Sequence, residues 1–209
     1  MHHSSARIEI GDLSFTSEVG NNLSLNYSFS NEKSAFIFSS FYNYVNDFIY
    51  IIPVRTTTTI AGVFPVWEYM QADANLYGFD MKYDKQYFDN FFIGHQFSLV
   101  KGYERSNDKP LINMPPANLK NSISYNFTDF NNLNVSLESE YVFEQNEYPD
   151  TNFEIYIPTT ETYAMLDTST PTEAYHLLNL SSSMRFNSKR GGEYKINLRV
   201  ENLLNNLYK

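Results

Sequence analysis

A chain of 209 residues is long enough to bury a sizeable core as one or two domains, but its composition points elsewhere. Hydrophobic residues are 42% and the mean hydropathy is -0.42, as in a soluble protein, yet 17 Tyr and 17 Phe give an aromatic share well above that of most soluble domains. A net charge of -9 with scattered Lys and Arg argues against non-specific nucleic-acid binding, and zero cysteines exclude disulfides, thiolate metal sites and cysteine nucleophiles. No apolar run approaches the roughly 18 residues of a membrane helix, which excludes a helical membrane protein; the richest, residues 48–54, ends around Pro53. The start, Met1-His2-His3-Ser4-Ser5, has no basic end followed by an apolar stretch. No signal peptide is visible, so the protein is not exported or its beginning is missing.

Residues 1–20 read as irregular, with a turn at Gly11-Asp12. Residues 23–30 then alternate, Leu23, Leu25, Tyr27 and Phe29 against Ser24, Asn26, Ser28 and Ser30, which is the period of a strand with one apolar face. After the polar turn Asn31-Glu32-Lys33, a second span over 35–51 carries Phe36, Phe38, Tyr42 and Tyr44 on one face and leads into a long Thr-rich loop. A third span, 67–83, places Tyr77, Phe79, Met81 and Tyr83 in alternation after a change of face near Gly78, where glycine predicts a bulge or bend. The fourth, 91–101, sets Phe91, Ile93, Phe97 and Leu99 in step, with His95 the odd member. A longer connection over 102–118 holds Pro110, Pro115 and Pro116.

The fifth span, 119–127, aligns Leu119, Ile123, Tyr125 and Phe127. The sixth, 133–143, is the clearest: Leu133, Val135, Leu137, Tyr141 and Phe143 share one face, broken only by Ser139, while Asn134, Ser136, Glu138, Glu140 and Glu144 take the other. The longest loop, 145–174, follows. The seventh span, 175–186, aligns Leu178, Leu180, Met184 and Phe186; after a short turn over 187–192, the eighth, 193–201, sets Tyr194, Ile196, Leu198 and Val200 against Glu193, Lys195, Asn197, Arg199 and Glu201.

Connections are short after the first, third, fifth and seventh spans and long after the second, fourth and sixth. A soluble all-β sandwich or lectin-like domain has no reason to keep that order, whereas outer-membrane barrels place tight turns on the periplasmic side and long loops outside. The pattern predicts an all-β fold, an antiparallel transmembrane β-barrel segment of about eight strands, each about long enough to cross a bilayer at the tilt of barrel strands.

Three stretches carry a resemblance. His2-His3, Arg7, Glu9, Gly11-Asp12, Glu18 and Asn21-Asn22-Leu23 resemble the approach to a late barrel strand of TonB-dependent outer-membrane receptors, although Phe15 stands where the family usually has Leu, and Ser17 where it often has Pro. Pro110-Leu111-Ile112-Asn113-Met114-Pro115-Pro116 with Leu119 is similar to the family's Pro-Pro segment. Leu198-Arg199-Val200-Glu201-Asn202-Leu203-Leu204-Asn205 with Tyr208 resembles its penultimate strand and closing Asn-Leu motif. The likeness covers essentially residues 1–209 and implies a piece of a barrel of about twenty-two strands, not closed on its own, with plug, signal peptide and final strand absent. It implies active uptake in the outer membrane of a Gram-negative bacterium of a ferric siderophore, haem, cobalamin or glycan. The implied partners are outer-membrane lipid, a small-molecule or metal-chelate ligand and, through the plug, a TonB-type energy-transducing protein; no enzyme activity or cofactor is implied. A passive porin or adhesin barrel, or a secreted binding domain, is the alternative.

No catalytic, cofactor or metal site emerges, and no substrate-binding residue can be named. In the resembled family a His pair like His2-His3 sits before Arg and Glu in a loop, which implies loop packing over metal or substrate contact; adjacent histidines point apart in an extended chain, and a metal site would need a third ligand. His95 reads as an interface or lumen residue rather than a catalyst. Glu138, Glu140 and Glu144 share one row along a strand, as a hydrated lumen requires, rather than forming an acid-base pair. Trp67 and many tyrosines read as membrane-interface aromatics. The glycosylation patterns at Asn26, Asn126, Asn134 and Asn179 fall in strands and are chance matches. Ligand contact is expected in the loops 55–66, 102–118 and 145–174.

Overall fold

The computed structural model describes residues 7–60, 62–157, 159–167, 171–187 and 191–207. In chain order the strands are β1 (Ile8–Ile10), β2 (Val19–Ser30), β3 (Ser34–Thr59), β4 (Gly62–Tyr87), β5 (Phe91–Glu104) and β6 (Lys109–Pro110), followed by β7 (Asn118–Phe127), β8 (Leu133–Val142), β9 (Phe153–Ile157), β10 (Thr162–Leu166), β11 (Tyr175–Asn187) and β12 (Glu193–Val200). All eight expected spans are present, as β2, β3, β4, β5, β7, β8, β11 and β12. They form one antiparallel sheet in the order β12-β11-β8-β7-β5-β4-β3-β2, with β1 added parallel to β4 and β6 antiparallel to β5. The sheet does not close: β2 and β12 are its free edges, and both are exposed along their whole length.

Register carries the alternation from strand to strand. Phe38, Met81, Phe97, Leu119 and Tyr141 stand in one row, and Ile93, Ile123, Leu137, Leu180 and Val200 in another. Phe38, Phe79, Phe97 and Phe143 touch in sequence on this face, with ring centroids 5.9, 5.5 and 6.2 Å apart, distances at which cross-strand aromatic pairs stabilise a sheet. The opposite face carries Asp84, Gly94, Ser122, Glu138 and Asn179 in one row and Lys82, Gln96, Lys120 and Glu140 in the next. Among the described residues the buried apolar side chains are few, Val66, Ala74, Leu111 and Val142 with Pro53. The accessible surface is 14712 Å², against about 10,000 Å² for a compact monomer of this mass, so neither face is packed as the core of a sandwich.

Four expectations are corrected. The Thr-rich stretch is not a loop: β3 and β4 are 26 residues each and pair as far as Thr59↔Gly62, because β-branched threonines suit a ladder even without apolar alternation. Residues 62–73 therefore run about 40 Å of strand beyond the point where β5 stops pairing at Ala74↔Glu104. Gly78 marks no bulge, since pairing is regular on both sides of it; a Cβ there would lie 2.4 Å from the Leu99 carbonyl oxygen, and glycine permits that approach. The register shifts fall instead in β3, at 45–48 and at 53–55, the second where Pro53 has no N–H to offer. The opening is not wholly irregular, since β1 and the first residues of β2 lie within it, and the loop over 145–174 contains the β9–β10 hairpin. Gly11-Asp12 does lead a turn, in which Asp12 accepts from the Ser14 N–H and hydroxyl and its carboxyl is thereby held below the usual range.

Candidate functional site

The polar face is a network of paired charges. Lys82 pairs with Asp84 at 3.1 Å, Lys120 with Glu140 at 3.2 Å and Arg199 with Glu138 at 3.5 Å, so the two strand glutamates the sequence put in a row do share this face and each has a cation. Glu144 lies beyond the end of β8 and joins neither. Half-exposed pairs of this kind stabilise little individually but keep the face hydrated and free of unmatched charge. Beside them Asn179 is buried, 7% exposed: its amide donates to Glu138 Oε1 at 3.1 Å, and its Oδ1 accepts from the Asn202 N–H at 2.9 Å. Asn202 in turn bonds Asn206 through both side-chain atoms, and Asn206 Nδ2 donates to the His176 carbonyl at 2.6 Å. This is what the Asn-Leu motif does here: it folds the chain after β12 back against β11.

The end of the sheet that carries the long connections is organised by carboxylates. The β3 register shift leaves backbone groups without ladder partners; the Asp47 N–H donates to Asp73 Oδ1 at 3.1 Å, the Ile49 N–H to Glu18 Oε1 at 2.6 Å, and Gln71 Nε2 donates to the carbonyls of Asp47 and Thr16, both at 2.8 Å. Asp47 adopts the left-handed region, φ 57°, which Asp tolerates better than most residues. Segment 110–117 folds over Gly102, where a Cβ would stand 2.8 Å from Met114 Sδ and 2.9 Å from Leu111 Cδ1. Glu147, at the start of the longest loop, accepts from the Lys101 ammonium and the Tyr103 hydroxyl, which hold its carboxyl below the usual range. Gln145 and Thr172 bond each other's backbone at 3.0 and 3.2 Å and close the base of that loop.

Two cavities of about 180 and 210 Å³ adjoin there and share Met114, Gln145 and Glu147; Phe143 and Lys101 line the first, Trp67 and Tyr148 the second. Trp67 lies ten positions from Tyr77 on β4, among the loops, with the Arg7 guanidinium 4.6 Å above its ring. The extension of β4, hidden in the sequence, puts it there. His95 is exposed on the apolar face, stacked on Tyr83. His2, His3 and Tyr208 lie outside the described residues. Among the described residues no group of three or more His, Asp or Glu is placed to hold a metal ion. Glu147, Asn179 and Gln71 were missed by sequence reasoning, and only the Asn-Leu motif hinted at one of their partners.

A family model described as TonB dependent receptor-like, beta-barrel, matches residues 2–203. The chain belongs to the TonB-dependent receptor β-barrel family. Its solved structural neighbours agree on the fold. It is similar to a structure titled copper transporter OprC, with 16% identity and a TM-score of 0.73, covering 93% of this chain and 27% of that one. It is also similar to the FrpB iron transporter from Neisseria meningitidis, with 15% identity, a TM-score of 0.61 and coverage of 97% and 29%, and to a structure of an FpvAI-pyocin S2 complex, with 13%, 0.57, 90% and 23%. The receptor barrel segment thus spans under a third of the structures it matches. The search of curated proteins found no match. Members of this family are transporters and receptors of the Gram-negative outer membrane, in whose barrels an apolar face meets lipid, a polar face the lumen, and the long connections lie at the outer end.

Proposed function

We propose that residues 1–209 are one partial barrel domain, the wall and outer mouth of an outer-membrane receptor that actively imports a scarce nutrient. The observation that supports this most is the sheet's division into an apolar, aromatic face and a wet, charge-paired face, with extended connections at one end only. The plug and closing strand belong to chain outside these residues, as the coverage of under a third of the solved neighbours and the two free edges suggest. The cargo in this reading is a metal ion or metal chelate, a ferric siderophore among them, by analogy with the copper and iron transporters to which the fold is similar. Cargo binds at the outer loops, and a TonB-type partner acting through the plug energises opening. No bond is made or broken, and no residue here is catalytic.

Uptake of radiolabelled iron and copper by cells expressing the full-length protein tests this. Accumulation that stops when the energy-transducing partner is deleted supports the reading. Accumulation that continues without it indicates a passive pore, and none for any metal chelate removes the cargo assignment.

A further inference from the structure

Three glycines of β4 and β5 stand at polar-face positions, and their surroundings differ. A Cβ on Gly78 would stand 3.0 Å from the Phe41 ring, and one on Gly102 would stand 2.8 Å from Met114 Sδ and 2.9 Å from Leu111 Cδ1, so larger side chains cover both. One on Gly94 would first meet short polar side chains of the two flanking strands, Ser122 Oγ at 2.6 Å and Asp84 Oδ1 at 2.9 Å. Above them the face is open. Two cavities of about 430 and 220 Å³ meet there and share Asp84, Gly94 and Ser122. The larger reaches Ser124 and the short turn Asn31-Glu32-Lys33, and the smaller reaches Gln96 and Lys120. From Lys120 to Ser124 is four residues, about 13 Å of strand, so one groove runs down the wall to the rim that bears the tight turns. Small polar side chains alone do not make it: Ser136 and Ser181 continue the Ser124 row across β8 and β11 but lie outside both cavities.

We propose that this groove is the lane along which cargo, a hydrated metal ion or a compact hydrophilic chelate, descends the wall to the short-turn rim, an inference that rests on the transport reading above. Size permits it: at about 30 Å³ per water, an ion with a first shell of about six waters takes about 180 Å³ and fits either cavity. Charge permits it as well. Lys82 holds Asp84 at 3.1 Å, Lys120 holds Glu140 at 3.2 Å and Arg199 holds Glu138 at 3.5 Å, so the charges along the banks are matched. A passing solute meets polar groups that replace water but no strong trap, the balance of entry against release that conduction requires.

The test uses the full-length protein in cells that hold its energy-transducing partner, with radiolabelled iron and copper as probes and heat-modifiable gel migration to verify folding. Ser124→Trp, which fills the groove, is expected to bind metal at the cell surface in the cold as the parent does but to take it up about tenfold more slowly, while Ser181→Trp, in the same row, stays within about twofold of the parent. Parental uptake by Ser124→Trp, an equal loss in Ser181→Trp, or loss of cold binding with Ser124→Trp overturns the inference. Should the Trp variant not fold, Ser124→Cys is folded first and then exposed during uptake to a thiol-specific quaternary ammonium reagent, with all other cysteines replaced; residues 1–209 contain none. Loading is expected, with uptake falling about tenfold and returning on reduction. A thiol that does not load, or loads without effect on uptake, overturns the lane. A parent that takes up neither metal removes the transport reading and the lane with it; a parent that transports beside an unimpaired Ser124 variant removes the lane alone.

Discussion

Asn179→Leu isolates the contribution of the clasp between β11 and the Asn-Leu motif. The substitution keeps the branched shape and heavy-atom count of the side chain in a position only 7% exposed but removes the donor to Glu138 and the acceptor for the Asn202 N–H. Glu138 retains Arg199 at 3.5 Å, so the loss there is at the low end for a bond to a charged group, about 1.5 kcal/mol; the orphaned N–H adds about 1 kcal/mol, for about 2–3 kcal/mol in all. Asn126→Leu, the same substitution in a strand but on a half-exposed site, is the control and is expected within about 0.5 kcal/mol of the parent. Urea unfolding of the detergent-refolded full-length protein, followed by heat-modifiable migration, reads both. Equal midpoints for the two variants would refute the assignment of Asn179 as the polar anchor of this end of the sheet.

Gly78→Ala puts a methyl 2.4 Å from the Leu99 carbonyl and must part β4 from β5, a loss of about 1–3 kcal/mol in the same urea assay, whereas Gly20→Ala, with open space around it, stays near the parent. Glu147 titrates below the ordinary carboxyl value of 4.5 because Lys101 and Tyr103 bond its ionised form. Its hold on the loop is therefore complete above about pH 4.5 and is lost as pH falls through the depressed folded value. A spin label at Asp150→Cys should gain mobility on acidification below that point and be mobile at every pH when combined with Glu147→Gln; mobility that ignores both changes contradicts the clasp. Leu137→Arg, on the lipid face, should cost about 2–4 kcal/mol of folding stability in bilayers while Ser136→Arg, on the lumen face, costs little; equal losses contradict the orientation.

The sheet was legible because its information is local. Alternation in Leu23 to Ser30 or along β8 sets each side chain's face regardless of what lies across the sheet, and register follows once one face must be apolar. Thr56 to Thr59 defeated the same reasoning, since four identical polar residues have no alternation, and the length of β3 and β4, with the true height of Trp67, was lost with them. Gly78 was misread because a glycine required by a neighbouring backbone looks the same in sequence as one required by a bulge. The outer clasp was invisible for a different reason: Glu147 meets Lys101 across 46 residues, and nothing around either residue marks it as half of a pair. Asn179 shared that fate, its motif partner lying 23 residues away.

Single cysteines placed in turn through β8, residues 133–142, of the full-length protein in native outer membranes, and titrated with a water-soluble maleimide, ask most directly whether this sheet divides lipid from water. Reaction at Ser136, Glu138 and Glu140 with protection at Val135, Leu137 and Tyr141 is the predicted two-residue rhythm. Uniform protection, as in a dry protein core, or uniform reaction would contradict a barrel wall.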